Sequence, residues 1–169
     1  MRRFIRHSGG ALLAALALAA APAGAQVTLG QVDDFQDGTT QGWVINILGQ
    51  GTPPAAVLPT HVATGGPAGA GDGYLQLRAL GGQGPGSRLN ALNLTGWSGD
   101  YLAAGIGAIR LDVRNPGPND LYLRLAFETL GAAGPTDIAF TRNAVHLPTG
   151  SDWTRVYVPI LPGALVAPL

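Results

Sequence analysis

The sequence predicts an all-β fold, a β-sandwich or jelly roll of about eight short strands. Three observations carry that prediction. Apolar and polar residues alternate with period two in segment after segment, the pattern of a strand that buries one face and wets the other. No segment after residue 25 repeats its apolar residues at 3.6-residue spacing. The 26 glycines and 13 prolines fall between the alternating segments, where an all-β chain turns.

Residues 1–25 are set apart from this pattern. Arg2, Arg3 and Arg6 form a basic start, Ala11 to Ala21 is apolar, and Ala23-Gly24-Ala25 fits an A-x-A cleavage site before Gln26. Together they predict a secretory signal peptide. The apolar run is about half the ~20 residues that span a bilayer. Arg2-Arg3 raises a twin-arginine route, but no Ser or Thr precedes the pair, so the general secretory route is expected. Residues 26–169 then form one domain, secreted or extracytoplasmic, with no membrane span.

Taken in order, VTLGQVDDFQ before Asp37 predicts a short strand ending in acids, and Asp37-Gly38-Thr39-Thr40 a turn. Gly42 to Leu48 alternates, with Trp43, Ile45 and Ile47 on the core side; Gln50 to Pro54 breaks it. Ala55 to Thr64 predicts an edge strand, because Pro59 lacks a ladder donor. Gly65 to Gly73 is a glycine-rich loop. Tyr74 to Leu80 predicts a strand, Gly81 to Gly86 a loop, Arg88 to Leu94 a strand, and Gly96 to Asp100 a turn. Gly107 to Glu128 reads as two strands around Asn115-Pro-Gly-Pro-Asn-Asp120. Ile109, Leu111 and Val113 face inward on the first, and Leu121, Leu123, Leu125 and Phe127 on the second. Gly131 to Pro135 turns, Asp137 to Leu147 predicts one or two strands, and Pro148 to Asp152 turns again. Trp153 to Ile160 is the last clear strand, with Thr154, Val156, Val158 and Ile160 on one face. The apolar tail from Leu161 stops as though mid-element, so a C-terminal truncation is expected.

If the two strands of Gly107 to Glu128 pair as a hairpin, register matters. One register sets Arg110 against Arg124, a like-charge clash. Moving two residues sets Asp112 against Arg124 and Arg114 against Tyr122, which is preferred. In jelly rolls consecutive strands often lie in opposite sheets, and that hairpin then does not form.

Composition narrows function. Three of the ten basic residues lie in the leader, so seven arginines face ten acids and the remaining chain carries about −3. That argues against nucleic acid, whose binders carry a basic excess. The absence of cysteine excludes disulfides, thiolate nucleophiles and Cys-based metal sites. The sequence contains no G-x-S-x-G, H-E-x-x-H or phosphate loop. Paired carboxylates could hydrolyse glycosides, but no acid is recognisably buried, and no enzyme is expected. Asn93-Leu94-Thr95 fits the N-glycosylation pattern and is expected to be unused.

Aromatic rings are the candidate sugar contacts, because a pyranose face stacks on a ring while polar groups take its hydroxyls. Trp97 and Tyr101 lie in a predicted loop, and for Trp97 and Trp153 core or rim packing is the favoured reading over ligand contact. Trp153, Arg155 and Tyr157 share the polar side of a strand, and Tyr122 and Arg124 are candidates for the same sheet face. Arg110, Arg114, Arg124 and Arg155 could form a face for anionic glycans, although a solvated face balanced by ion pairs is the favoured reading. Asp33, Asp34, Asp37 and Asp152 are the candidate oxygen ligands for a hard cation.

Asp33-Asp34-Phe35-Gln36-Asp37-Gly38 with Gln41-Gly42-Trp43 resembles the opening of secreted galactose-binding-like jelly rolls, the fold of many carbohydrate-binding modules. Gly96 to Tyr101, the strand from Ile109, Asn115 at its end, and Ser151 to Arg155 are similar to bacterial exported proteins of this shape. Some of those carry an exosortase sorting tail (PEP-CTERM type), and a distant likeness to laminin domain IV is in view. The resemblance implies a non-catalytic domain that binds polysaccharide or a cell-surface component. It also implies one structural calcium ion bridging first and last strands. The alternatives are a structural or adhesive envelope or matrix protein without a small-molecule ligand and, last, a hydrolase.

Overall fold

The computed structural model describes residues 26–45, 52–82, 88–131 and 134–167. The signal peptide, the Asn46–Leu48 end of the expected second strand, the break at Gln50 and Gly51, and most of the Gly81–Gly86 loop lie outside the described residues. Among the described residues there are eleven strands and no α-helix, so the chain is all-β. The strands are β1 (Trp43–Val44), β2 (Thr60–Val62), β3 (Tyr74–Gln76), β4 (Leu92–Asn93), β5 (Ala108–Asn115) and β6 (Leu121–Leu123). They continue with β7 (Ala126–Gly131), β8 (Gly134–Thr141), β9 (Val145–Leu147), β10 (Ser151–Pro159) and β11 (Leu165–Val166). Short 3-10 turns cover Ala55–Val57 and Pro162–Ala164.

Every pairing is antiparallel: β1 with β4, β2 with β3, β5 with β10, β6 with β9, and β7 and β11 on either side of β8. The sheets are small.

The first expected strand is absent. Gly30 turns the chain with φ +83°, and Phe35 stands in the left-handed region at φ 56°. Asp34 Oδ1 accepts from the Gln36 N–H and Asp37 Oδ1 from the Thr39 N–H. These local side-chain bonds give the backbone an alternative to a ladder. The expected strands at 55–64, 74–80 and 88–94 shrink to two or three residues each.

The long stretch from Gly107 folds differently from the preferred hairpin. β5 pairs with β10, not with the strand after it, and Asp112 stands opposite Arg155. The second half is two strands, β6 and β7, interrupted at Arg124 and Leu125. There the Arg124 guanidinium donates to the carbonyls of Thr141 and Arg142. Leu125 exchanges bonds with Thr141, its N–H to Oγ1 and its carbonyl from the Thr141 N–H. Residues 124–125 on the outgoing strand face 141–144 on the return. This asymmetry bends one long hairpin into two ladders, as a bulge does.

Asn115 explains why β5 stops where it does. It is 2% exposed, and its Nδ2 donates to the carbonyls of Asn119, Leu147 and Pro148. Its Oδ1 accepts from the Gly117 N–H. One buried amide therefore closes the Pro-Gly-Pro turn and ties it to the end of β9 and the turn that leads into β10.

The main core cluster gathers Val27, Ile106 and Ile160, with Trp97, Tyr101, Ile109, Leu125 and Phe127 packed against it. Ile109 from the expected inner face of β5 and Ile160 after β10 meet here, while Leu111, Val113 and Val156 are half-buried and Thr154, expected on the inner face, is exposed. Val158 and Ile160 are buried, while Arg110, Arg155 and Tyr157 are exposed.

Candidate functional site

The β5–β10 ribbon turns one face outward. In the observed register Arg155 stands opposite Asp112 and Tyr157 opposite Arg110. Directly opposed residues of an antiparallel pair share a face, with Cβ atoms about 4.5–5.5 Å apart. A bulge between Ser151 and Thr154 shifts the register at the end of the ribbon. It sets the Arg114 guanidinium 5.0 Å from the Trp153 ring centre. The face therefore reads indole, ion pair, phenol along β10.

At its middle, Arg155 grips Asp112 with two bonds, Nε to Oδ1 at 2.9 Å and a terminal nitrogen to Oδ2 at 3.1 Å. These bonds hold the Asp112 carboxyl below its ordinary value, helped by the charges of Arg155 and Arg110. The same bonds raise the Arg155 guanidinium above its own.

Its two ends differ. The Trp153 indole N–H donates to the Gly65 carbonyl at 2.9 Å. Tyr74 meets the ring edge-on at 5.4 Å, and the Tyr74 hydroxyl accepts from Arg114 at 2.7 Å. Trp153 is thus held by β3 and the glycine-rich loop. Tyr157, by contrast, is 67% exposed. Beside it opens a cleft of about 130 Å³ lined by Thr141, Asn143, Val145 and Pro159 among others. A wider hollow of about 410 Å³, lined by residues 26–29 with Ala103 and Ala104, offers neither ring nor charge.

The remaining candidates lie elsewhere. Trp97 and Trp43 both donate their indole N–H to Asp33 Oδ2, each at 2.6 Å. The Tyr101 hydroxyl donates to the Trp97 carbonyl at 2.6 Å, and its ring meets Phe127 edge-on. Burial raises the Tyr101 phenol above its usual value. Trp97 and Tyr101 are packing residues. Tyr122 is 67% exposed but lies on β6, stacked 4.8 Å from His146 on β9. His146 Nε2 is 2.8 Å from Asp120 Oδ2, and Asp120 Oδ1 accepts from the Thr149 N–H. Those contacts lower the Asp120 carboxyl, the Thr149 bond most. Arg124 caps backbone carbonyls and does not join Tyr122 on a binding face. Asn93 is buried, its Nδ2 donating to the Gln41 carbonyl.

The four aspartates expected to hold calcium each have protein partners. Asp33 serves two indoles, Asp34 and Asp37 close their own turns, and Asp152 Oδ1 accepts from the neighbouring Trp153 N–H. Among the described residues no group of three or more acidic or histidine side chains is placed to hold a metal. Among them, too, no helix is long and apolar enough to cross a membrane.

Sequence reasoning named Trp153, Arg155 and Tyr157 but missed Tyr74, and gave Asp112 to the wrong arginine. The available signal was that Arg155, like Arg124, sits at an outward position of an alternating strand. Comparison with protein-family models, curated proteins and solved structures finds no match.

Proposed function

We propose that this chain is a secreted, non-catalytic module that binds polysaccharide or a cell-surface polymer on the outer β5–β10 face. The exposed Tyr157 ring, in line with a fixed Arg155–Asp112 pair, carries the reading. A ring supplies a stacking surface for the apolar face of a sugar, and the pair supplies donors and acceptors already held in place. The surface is open and the cleft beside it is well below the ~300–1,000 Å³ of enclosed small-molecule sites. That suits a polymer laid across the face. The fold that goes with this reading is the galactose-binding-like jelly roll. Placement of β5 and β6 in different sheets supports it, because jelly rolls separate consecutive strands in this way. Export by the leader, with cleavage near Ala25, completes the proposal.

The test is retention on a panel of neutral and acidic polysaccharides by wild type and Tyr157→Ala. The exposed ring can be removed without disturbing the core, so the melting temperature should hold while affinity falls about tenfold. Trp97 and Trp153 are unsuitable probes, since their indoles are tied to Asp33 and Gly65. If no polysaccharide retains the wild type, the reading falls. The shallowness of the cleft then favours the second one, an adhesive or structural envelope domain that presents its surface to other macromolecules.

A further inference from the structure

We infer that the polymer bound on this face carries carboxylates, and that Arg110 is their counter-ion. The inference rests on the reading above and narrows its ligand class. Four charged side chains belong to the face, and three are engaged. Arg155 and Asp112 satisfy each other through two bonds. Arg114 donates to the Tyr74 hydroxyl and lies 4.9 and 5.0 Å from the centres of the Tyr74 and Trp153 rings.

Arg110 is different. It is exposed, and among the described residues it makes no hydrogen bond or ion pair. Its nearest acid along the strand, Asp112, feels its charge but takes its hydrogen bonds from Arg155. Arg110 stands opposite Tyr157, so an exposed guanidinium with its hydrogen-bond donors unused among the described residues and an exposed ring sit side by side on the face. A guanidinium presents five donors in a planar fork that fits a carboxylate with two parallel bonds. A uronic acid ring stacked on Tyr157 carries its carboxylate at the ring edge, within the span of one strand spacing and the arginine stem. Asn143 lines the cleft beside Tyr157, and an amide is a suitable partner for a sugar hydroxyl. Three guanidiniums against one carboxylate give the face a net charge of +2, although the chain after the leader carries about −3. The positive charge is therefore local, placed where the ring is.

The experiment compares the full chain on polygalacturonate and alginate, on their carboxyl-reduced counterparts, and on dextran sulfate, by affinity electrophoresis. The wild type should bind at least one uronate polymer about tenfold more tightly than its carboxyl-reduced form and more tightly than dextran sulfate. Arg110→Gln should lower uronate affinity about tenfold and remove the dependence on the carboxylate, with an unchanged melting curve. Equal wild-type affinity for the uronate and reduced polymers would overturn the inference while leaving the module reading intact. So would an undiminished preference in Arg110→Gln. Equal binding to dextran sulfate would reduce the effect to bare charge attraction and overturn it as well. Failure to bind any polymer, neutral or acidic, would remove both readings together.

Discussion

Replacing Asp33 with alanine should be among the most damaging single changes outside the apolar core. One carboxylate oxygen, Oδ2, accepts from both Trp43 and Trp97 at 2.6 Å. Trp43 begins β1, and Trp97 packs on the Val27–Ile106–Ile160 cluster. Asp33 thus joins the first ribbon to the core through two indoles. A hydrogen bond to a charged group contributes about 1.5–3 kcal/mol. Both bonds are only part-buried, which puts each near the low end, about 3 kcal/mol for the pair. Against a typical total of about 5–15 kcal/mol that is a large fraction, equivalent to a fall of about 10 °C in melting temperature. Asp33→Asn keeps an acceptor oxygen without the charge and should lose about half as much. Urea unfolding followed by far-ultraviolet circular dichroism, with an unchanged slope, measures both. A loss below about 0.5 kcal/mol for Asp33→Ala, the range of ordinary surface substitutions, would refute the idea that the indoles depend on this carboxylate.

Other expectations follow from separate contacts. A Cβ added to Gly73 would lie 2.6 Å from the Phe35 carbonyl oxygen, so Gly73→Ala should cost about 1–3 kcal/mol in urea unfolding; an unchanged midpoint would show that the Phe35 turn yields freely. Asp37, Asp112 and Asp120 all have carboxyls below their ordinary value. The unfolded chain therefore binds more protons, and their contribution is complete above about pH 4 and lost as pH falls through the folded values. Melting temperature should drop more shallowly with acid in Asp112→Asn than in wild type, and identical acid limbs would contradict the Arg155–Asp112 pairing. If Asp33, Asp34, Asp37 and Asp152 contribute to a structural calcium site, calcium should raise the melting midpoint and EDTA lower it. An unchanged midpoint would reject the site.

Legibility in the sequence tracked the length of the alternation. Ile109 to Arg114 alternates without a fault, and β5 forms there as expected; Trp153 to Ile160 does the same in β10. Short segments failed because a few apolar residues do not outweigh local chemistry. Asp34 and Asp37 fold VTLGQVDDFQ into turns, and the Leu121 to Glu128 pattern says nothing of Thr141, whose hydroxyl and backbone bind Leu125 and divide the strand. Site residues were legible as types but not as partners. Alternation gave the outward positions of Trp153, Arg155 and Tyr157, yet whether a ring is open depends on what another segment places over it. Gly65 and Tyr74 cover Trp153, and nothing comparable covers Tyr157. Packing is the favoured sequence reading for Trp97, but its loop position does not reveal that Tyr101 joins it against the Val27–Ile106–Ile160 cluster.

The pairing of β5 with β10 has a kinetic consequence. Asp112 and Arg155 are 43 residues apart, and the β6–β9 hairpin lies wholly between them. Closing so long a loop from an unstructured chain is slow and entropically costly. Forming the nested hairpin first shortens the open path to its two connecting turns, one of them fixed by Asn115. The hairpin should therefore precede the ribbon in time. Tyr157 and Arg110 become neighbours only when the ribbon closes, so neither strand alone contains the face, and its assembly reports closure of the ribbon.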